Sequence, residues 1–167
     1  MSDQKIKVLF VCLGNICRSP MAEAVFAHTA LQKGLQSRFI ADSAGTSSYH
    51  IGEPPHPRTI KLCTDSGIRI DHSARMLEIN DFDEFDYIFC MDDMNLRESK
   101  KLMKSAKNPK ATVKLFGEYD PQGKTTIEDI NRLCLLSDPY HSGNEAYKEV
   151  FEQVTRCSEA FLQSLGF

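Results

Sequence analysis

Tryptophan is absent from the 167-residue chain, and no stretch approaches the 18 consecutive apolar residues of a spanning helix. Residues 1–7 carry no apolar secretory core. No Cys-x2-Cys pair and no paired cysteine and histidine ligands occur, so neither zinc nor any other metal or cofactor is expected. Regular cysteine spacing is missing too. The six cysteines read as reduced thiols of a cytoplasmic protein, not as a disulfide framework. A net charge of −3 excludes bulk affinity for nucleic acid. The lysines at 100, 101, 104 and 107 are expected to form the solvated side of a helix. Without repeats or low-complexity tracts, residues 1–167 are expected to form a single domain with a full core.

What the chain has is alternation. Lys5–Val11 reads as an apolar strand, and Met21, Ala24, Val25, His28 and Leu31 repeat with helical spacing up to Gly34. Phe39–Ser43 reads as a second strand. His50 to Pro57 is a proline-rich loop before a helix from Arg58 to about Asp65. Tyr87–Met91 reads as a third strand, Asp93–Met103 as a helix, Val113–Phe116 as a fourth strand and Asn144–Leu165 as a long amphipathic helix. Short apolar strands separated by helices predict an α/β fold whose parallel sheet is covered on both faces. Ligands of such sheets bind at the carboxyl ends of the strands, where Cys12, Ser43 and Asp92 are predicted to gather.

The most informative segment joins the first strand to the first helix: Cys12, Leu13, Gly14, Asn15, Ile16, Cys17, Arg18, Ser19 and Pro20. Spacing alone says little, because Cys63 and Arg69 are separated by the same five residues. The context differs, since Cys63 follows a helix-like segment and Arg69 leads into no helix. The first copy enters a helix N-terminus, where unpartnered N–H groups carry partial positive charge and suit a phosphate. Gly14 and Asn15 tolerate the unusual backbone angles of a tight cradle. Pro20 lacks only an N–H that the first turn leaves unpaired. Arg18 offers a two-pronged donor for phosphate oxygens. The same positive field favours the Cys12 thiolate, and the Ser19 hydroxyl is placed to donate to its sulfur. The plainer alternative makes Cys12 a small packing residue.

These residues resemble the phosphate loop of the low-molecular-weight protein tyrosine phosphatase family. The likeness extends along nearly the whole chain. Ala41 to Thr46 resembles the second signature, Asp71 to Arg75 the loop-supporting segment, Met91-Asp92 the end of the third strand and Asp138-Pro139-Tyr140 the acid motif. The resemblance implies a three-layer flavodoxin-like fold around a four-stranded parallel sheet. It also implies hydrolysis of phosphotyrosine in two steps: Cys12 attacks phosphorus while Asp138 protonates the departing phenol, and water activated by Asp138 then releases phosphate. Arg18 and the backbone of Leu13, Gly14, Asn15, Ile16 and Cys17 would hold the phosphate, so no metal is required.

By the same resemblance Asn15, Ser19, Ser43 and His72 support the loop, and Tyr49 and Tyr140 wall a slot too deep for phosphoserine. Cys17 is expected to act as a reversible disulfide partner of Cys12. Phosphotyrosine proteins are the implied partners, with a monomer or at most a weak dimer. Two features depart from the family pattern: His141 replaces a second tyrosine, and extra residues from about Thr125 to Ser137 precede the acid motif. Two other readings stand beside this one. A thioredoxin-coupled arsenate reductase would need relay thiols such as Cys63 and Cys90, and a catalytically silent phosphate-binding module would keep only the loop.

Overall fold

The structure is a computed structural model that describes residues 4–130 and 142–167. Strand β1 (Ile6–Cys12) is followed by α1 (Arg18–Gln32), β2 (Phe39–Gly45), α2 (Pro57–Asp65) and α3 (Asp81–Glu84). Then come β3 (Tyr87–Cys90), α4 (Asp93–Met103), β4 (Thr112–Leu115), a 3₁₀ turn (Phe116–Tyr119) and α5 (Ser142–Ser164). The four strands pair in the order β2-β1-β3-β4, and every pairing is parallel.

Both faces of the sheet are covered, as the unbroken apolar run of β1 requires. Val8, Phe10 and Cys12 point into one core with Phe26 of α1, Phe89 of β3 and Phe161 of α5. Leu9 and Val11 point into the other, with Phe82 of α3, Ile88 of β3 and Leu96 of α4. Helices α1, α2 and α5 therefore form one outer layer, and α3 and α4 the other. Phenylalanine supplies the bulk that tryptophan does not. The Phe10 ring meets Phe26, Phe89 and Phe116 at centroid distances of 5.7, 6.1 and 5.0 Å, and Phe89 meets Phe161 at 4.9 Å. Truncating one of these buried rings to alanine costs about 3–5 kcal/mol.

This layering sets the position of the site. Strand β1 sits centrally, with β2 on one side and β3 on the other, so the chain reverses its winding beside β1. Crevices of such sheets open at the carboxyl ends of strands flanking that reversal. There Cys12 is in register with Gly45, and Val11 with Cys90.

The predicted elements stand, with shifted ends. α1 begins at Arg18, three residues before its apolar periodicity, and β2 runs on to Gly45. The predicted end of the fourth strand at Phe116 is instead the start of the 3₁₀ turn. α3 was not foreseen, because four residues are too few to show a period.

Candidate active site

The segment from Cys12 to Arg18 wraps into a bowl. Its carbonyls are taken up from outside: Cys12 O accepts from Thr46 N at 3.0 Å, Leu13 O from Ser47 N at 3.0 Å and Ile16 O from His56 N at 2.7 Å. In a planar trans peptide the following N–H points the opposite way. The amides of Leu13, Gly14 and Cys17 therefore turn into the concavity. Two backbone features make the curve possible. Asn15 adopts φ 57°, one of the few side chains that tolerate it. Gly45 packs so tightly beneath the loop that a Cβ there would lie 2.7 Å from Leu13 O.

At the base of the bowl, Cys12 is 3% exposed. Its sulfur accepts from Asn15 N at 3.2 Å and lies 2.9 Å from Ser19 Oγ. The direction of the second bond follows from the network behind it. Arg75 N and His72 Nε2 both approach Asn15 Oδ1, at 3.0 and 2.7 Å. Asn15 Nδ2 then donates to Ser19 Oγ at 2.8 Å and to Ser43 Oγ at 3.0 Å. Ser43 Oγ in turn donates to Glu23 Oε1 at 2.7 Å. With Ser19 Oγ already accepting from Asn15, its hydroxyl proton is directed to the Cys12 sulfur.

Arg18 is buried at the wall of the bowl. Its Nη1 donates to Asp92 Oδ2 at 2.7 Å and to Ile127 O at 3.0 Å. Burial alone would lower the Arg18 pKa, but the Cys12 sulfur, Asp92 and Asp129 outweigh it and the value is raised. With Nη1 committed to Asp92 and Ile127, the remaining arms of the guanidinium make no hydrogen bond to the described residues and can meet an oxyanion.

The bowl encloses about 70 Å³ and is lined by Cys12, Leu13, Gly14, Ile16, Cys17 and Arg18, with Tyr49, His50 and Asp129 above. That is room for roughly two waters. A phosphoryl head fits there, whereas an attached ring must sit above it. Tyr49, 76% exposed, stands at that rim. Cys17 is buried, its sulfur 3.6 Å from the Tyr147 hydroxyl.

Of the expected site residues, the structure brings together Cys12 to Ser19, Ser43, Tyr49 and His72. The acid motif at Asp138 and the wall residue Tyr140 lie outside the described residues. Arg75, the last residue of the expected loop-supporting segment, holds Asp42 and Asp81 with its guanidinium at 3.0–3.2 Å. Three further participants were not read from the sequence. Glu23 ends the network on Ser43. His50 fills the space that the missing Cβ of Gly14 leaves. Asp129 faces the bowl from a segment with no recognisable motif. Among the described residues one cluster has metal-ligand chemistry: Glu23, Asp42 and His72, with His72 Nδ1 3.3 Å from Glu23 and 3.7 Å from Asp42. The second copy of the cysteine–arginine spacing is structural, for Cys63 is a fully buried residue of α2.

Comparison with known proteins agrees with this geometry. The family model for low molecular weight phosphotyrosine protein phosphatase matches residues 7–166. The chain is 44% identical over 156 residues to the phosphatase of that name from Gallus gallus, covering 93% of each. It is 44% identical over 164 residues to the one from Schizosaccharomyces pombe, covering 98% of this chain and 99% of that protein. The crystal structure of YfkJ from Bacillus subtilis superposes with a TM-score of 0.80 at 37% identity, covering 98% of this chain and 96% of that one. A match that runs from β1 past the end of α5 and includes the whole bowl settles the kinship: the chain belongs to the low molecular weight phosphotyrosine protein phosphatase family.

Proposed function

We propose that this protein hydrolyses phosphotyrosine monoesters through a cysteinyl-phosphate on Cys12. The observation that carries the reading is the Cys12 sulfur, which receives Asn15 N–H and the Ser19 hydroxyl in the same bowl as Arg18. Two donors on the sulfur favour thiolate, both as nucleophile and as leaving group. Arg18 and the inward amides bind the equatorial oxygens, where charge is held in the transition state. Tyr49 at the rim is assigned as one wall of the aryl slot, which favours phosphotyrosine over the shorter phosphoserine. The family resemblance assigns proton transfer to Asp138 and a second wall to Tyr140. Cys17, which lines the same bowl, is assigned as the reversible disulfide partner that guards Cys12 from irreversible oxidation.

The phosphoprotein substrates, the single-domain organisation over 1–167, the cytoplasmic location and the monomeric or weakly dimeric state belong to this proposal. No helix among the described residues is long and apolar enough to cross a membrane. Arsenate reduction is disfavoured by its own requirement for relay thiols. Burial pushes Cys63 up to about 11 and Cys90 up to about 12, which keeps both protonated and unreactive at neutral pH. A silent binding module would not need a hydroxyl aimed at its thiol. Steady-state kinetics on phosphotyrosine, phosphoserine and thioredoxin-coupled arsenate test the assignment. Turnover of phosphotyrosine alone, lost in Cys12→Ser, supports it. Robust arsenate reduction overturns it.

A further inference from the structure

We propose that an apolar groove beside the bowl is a substrate subsite, which takes an aliphatic side chain two residues from the phosphotyrosine; this rests on the phosphatase reading above. Ile16 carries the connection. Its half-buried side chain lines the bowl on one side and the groove on the other. The groove encloses about 580 Å³, a size within the range of cavities that hold ligands. One bank is α2, where Ile60 and Thr64, four residues apart, share a helical face. The other is Pro54, Pro55 and Pro57, whose rings fix the backbone and keep the residues before them extended. His56, between them, sits at φ −55° and ψ 140°. That bank is tied on both flanks. His56 N donates to Ile16 O at 2.7 Å, and Glu53 O accepts from Ala74 N at 2.9 Å. A groove fixed in this way loses little freedom when it is filled.

The groove's ionic groups answer one another. Lys61 Nζ meets Asp65 Oδ2 at 2.8 Å, and Glu53 Oε2 meets His50 Nδ1 at 2.7 Å. Burial, and then Arg58, lower the His56 pKa from 6.5, so its imidazole is neutral at pH 7. The lining therefore offers no unpaired charge to an ionic occupant, while Ile16, Ile60 and the prolines suit an apolar one. Reach selects the position. A phosphotyrosine with its phosphoryl head in the bowl carries its backbone across the rim. In an extended peptide, side chains two residues apart share a face, roughly 7 Å apart along the chain. A side chain at that spacing crosses Ile16 into the groove, whereas an immediate neighbour points away from the protein.

Phosphate release is measured from a peptide with phosphotyrosine between two pairs of alanines, and from each of the peptides in which a single alanine is replaced by leucine. Leucine two residues from the phosphotyrosine, on one side of it, is expected to raise kcat/KM about tenfold or more, the scale of burying one such side chain. Leucine at the adjacent positions should change it by no more than about twofold. Ile60→Glu puts a charge on the bank away from the bowl. It should abolish the preference and still hydrolyse p-nitrophenyl phosphate, which has no peptide to seat in the groove, at the parent's rate. If Ile60→Glu does not fold, Thr64→Arg on the exposed part of the same face replaces it. Leucine peptides all cleaved like the alanine peptide overturn the proposal, as does a preference confined to the adjacent positions or one that survives the groove variant. A concentration-dependent dimer that the variant abolishes, without any peptide preference, gives the groove to a second copy of the chain and also overturns it. A parent protein that hydrolyses neither the peptides nor p-nitrophenyl phosphate refutes the phosphatase reading instead.

Discussion

Asn15 donates to Ser19 Oγ at 2.8 Å, and that bond turns the serine's proton toward the Cys12 sulfur. The asparagine therefore does two jobs. Its backbone, at φ 57°, bends the loop, and its side chain orients the hydroxyl that meets the Cys12 sulfur.

Ser19→Ala should keep the fold and slow turnover. A hydrogen bond to a charged acceptor contributes about 1.5–3 kcal/mol, so kcat should fall about 10- to 100-fold. The loss should fall mainly on release of phosphate from the phosphocysteine, where sulfur is the leaving group. Pre-steady-state kinetics with p-nitrophenyl phosphate should then show a larger burst relative to the steady rate.

Asn15→Ala should act on stability as well as rate. It strands the Arg75 amide and the Ser43 network and forces a non-glycine residue to keep the left-handed conformation. A loss of about 2–4 kcal/mol in denaturant unfolding is expected. Asn15→Gly should recover about 1 kcal/mol of that, since glycine accepts the conformation but not the hydrogen bonds. Equal stability of the two variants would mean that the backbone angle carries no strain.

Arg18→Lys should reduce kcat/KM roughly 100-fold or more, the scale of losing one charge-stabilising donor. A single ammonium cannot hold Asp92 and Ile127 O while also gripping two phosphate oxygens. A loss below tenfold would argue that Arg18 serves chiefly to anchor Asp92.

Glu23 gives the fold a pH dependence. Burial raises its carboxyl from the ordinary 4.5 to about 8; the Ser43 hydrogen bond opposes this and Asp42 adds to it. Folded Glu23 thus keeps a proton that the unfolded chain has released, so its contribution to stability is full below 4.5 and lost as pH rises toward 8. His72 is shifted the other way, lowered from 6.5 mainly by burial. It offsets the effect on the acid side, since there the unfolded chain holds a proton on His72 that the folded state lacks. Between about pH 6.5 and 8 Glu23 acts unopposed, and that part of the loss amounts to about 2 kcal/mol at 1.4 kcal/mol per unit. Thermal unfolding at pH 6 and 8 should show it in the parent and not in Glu23→Gln.

Much of this was legible from residue order, and the boundary has a physical origin. The strand, loop and helix around Cys12 are contiguous, so period and turn chemistry reveal them directly. The support from His72 and Ser43 was legible only through family resemblance, because their bonds to Asn15 span 57 and 28 residues. Glu23 was hidden for a different reason. Within the periodicity of α1 it reads as an ordinary polar helix position, and only the packing of Asp71–Arg75 over it makes its burial visible. Asp92 was placed at the right strand end, but its ion pair with Arg18 needed the three-dimensional register.

Phosphocysteine on residue 12 is the most direct test. Parent protein quenched with acid during turnover of p-nitrophenyl phosphate, digested and analysed by mass spectrometry should carry phosphate on the peptide at Cys12 and on no other residue. The same experiment on Cys12→Ser should show no thiol adduct and no turnover. Continued catalysis in that variant, or an adduct at a different cysteine, would contradict the account.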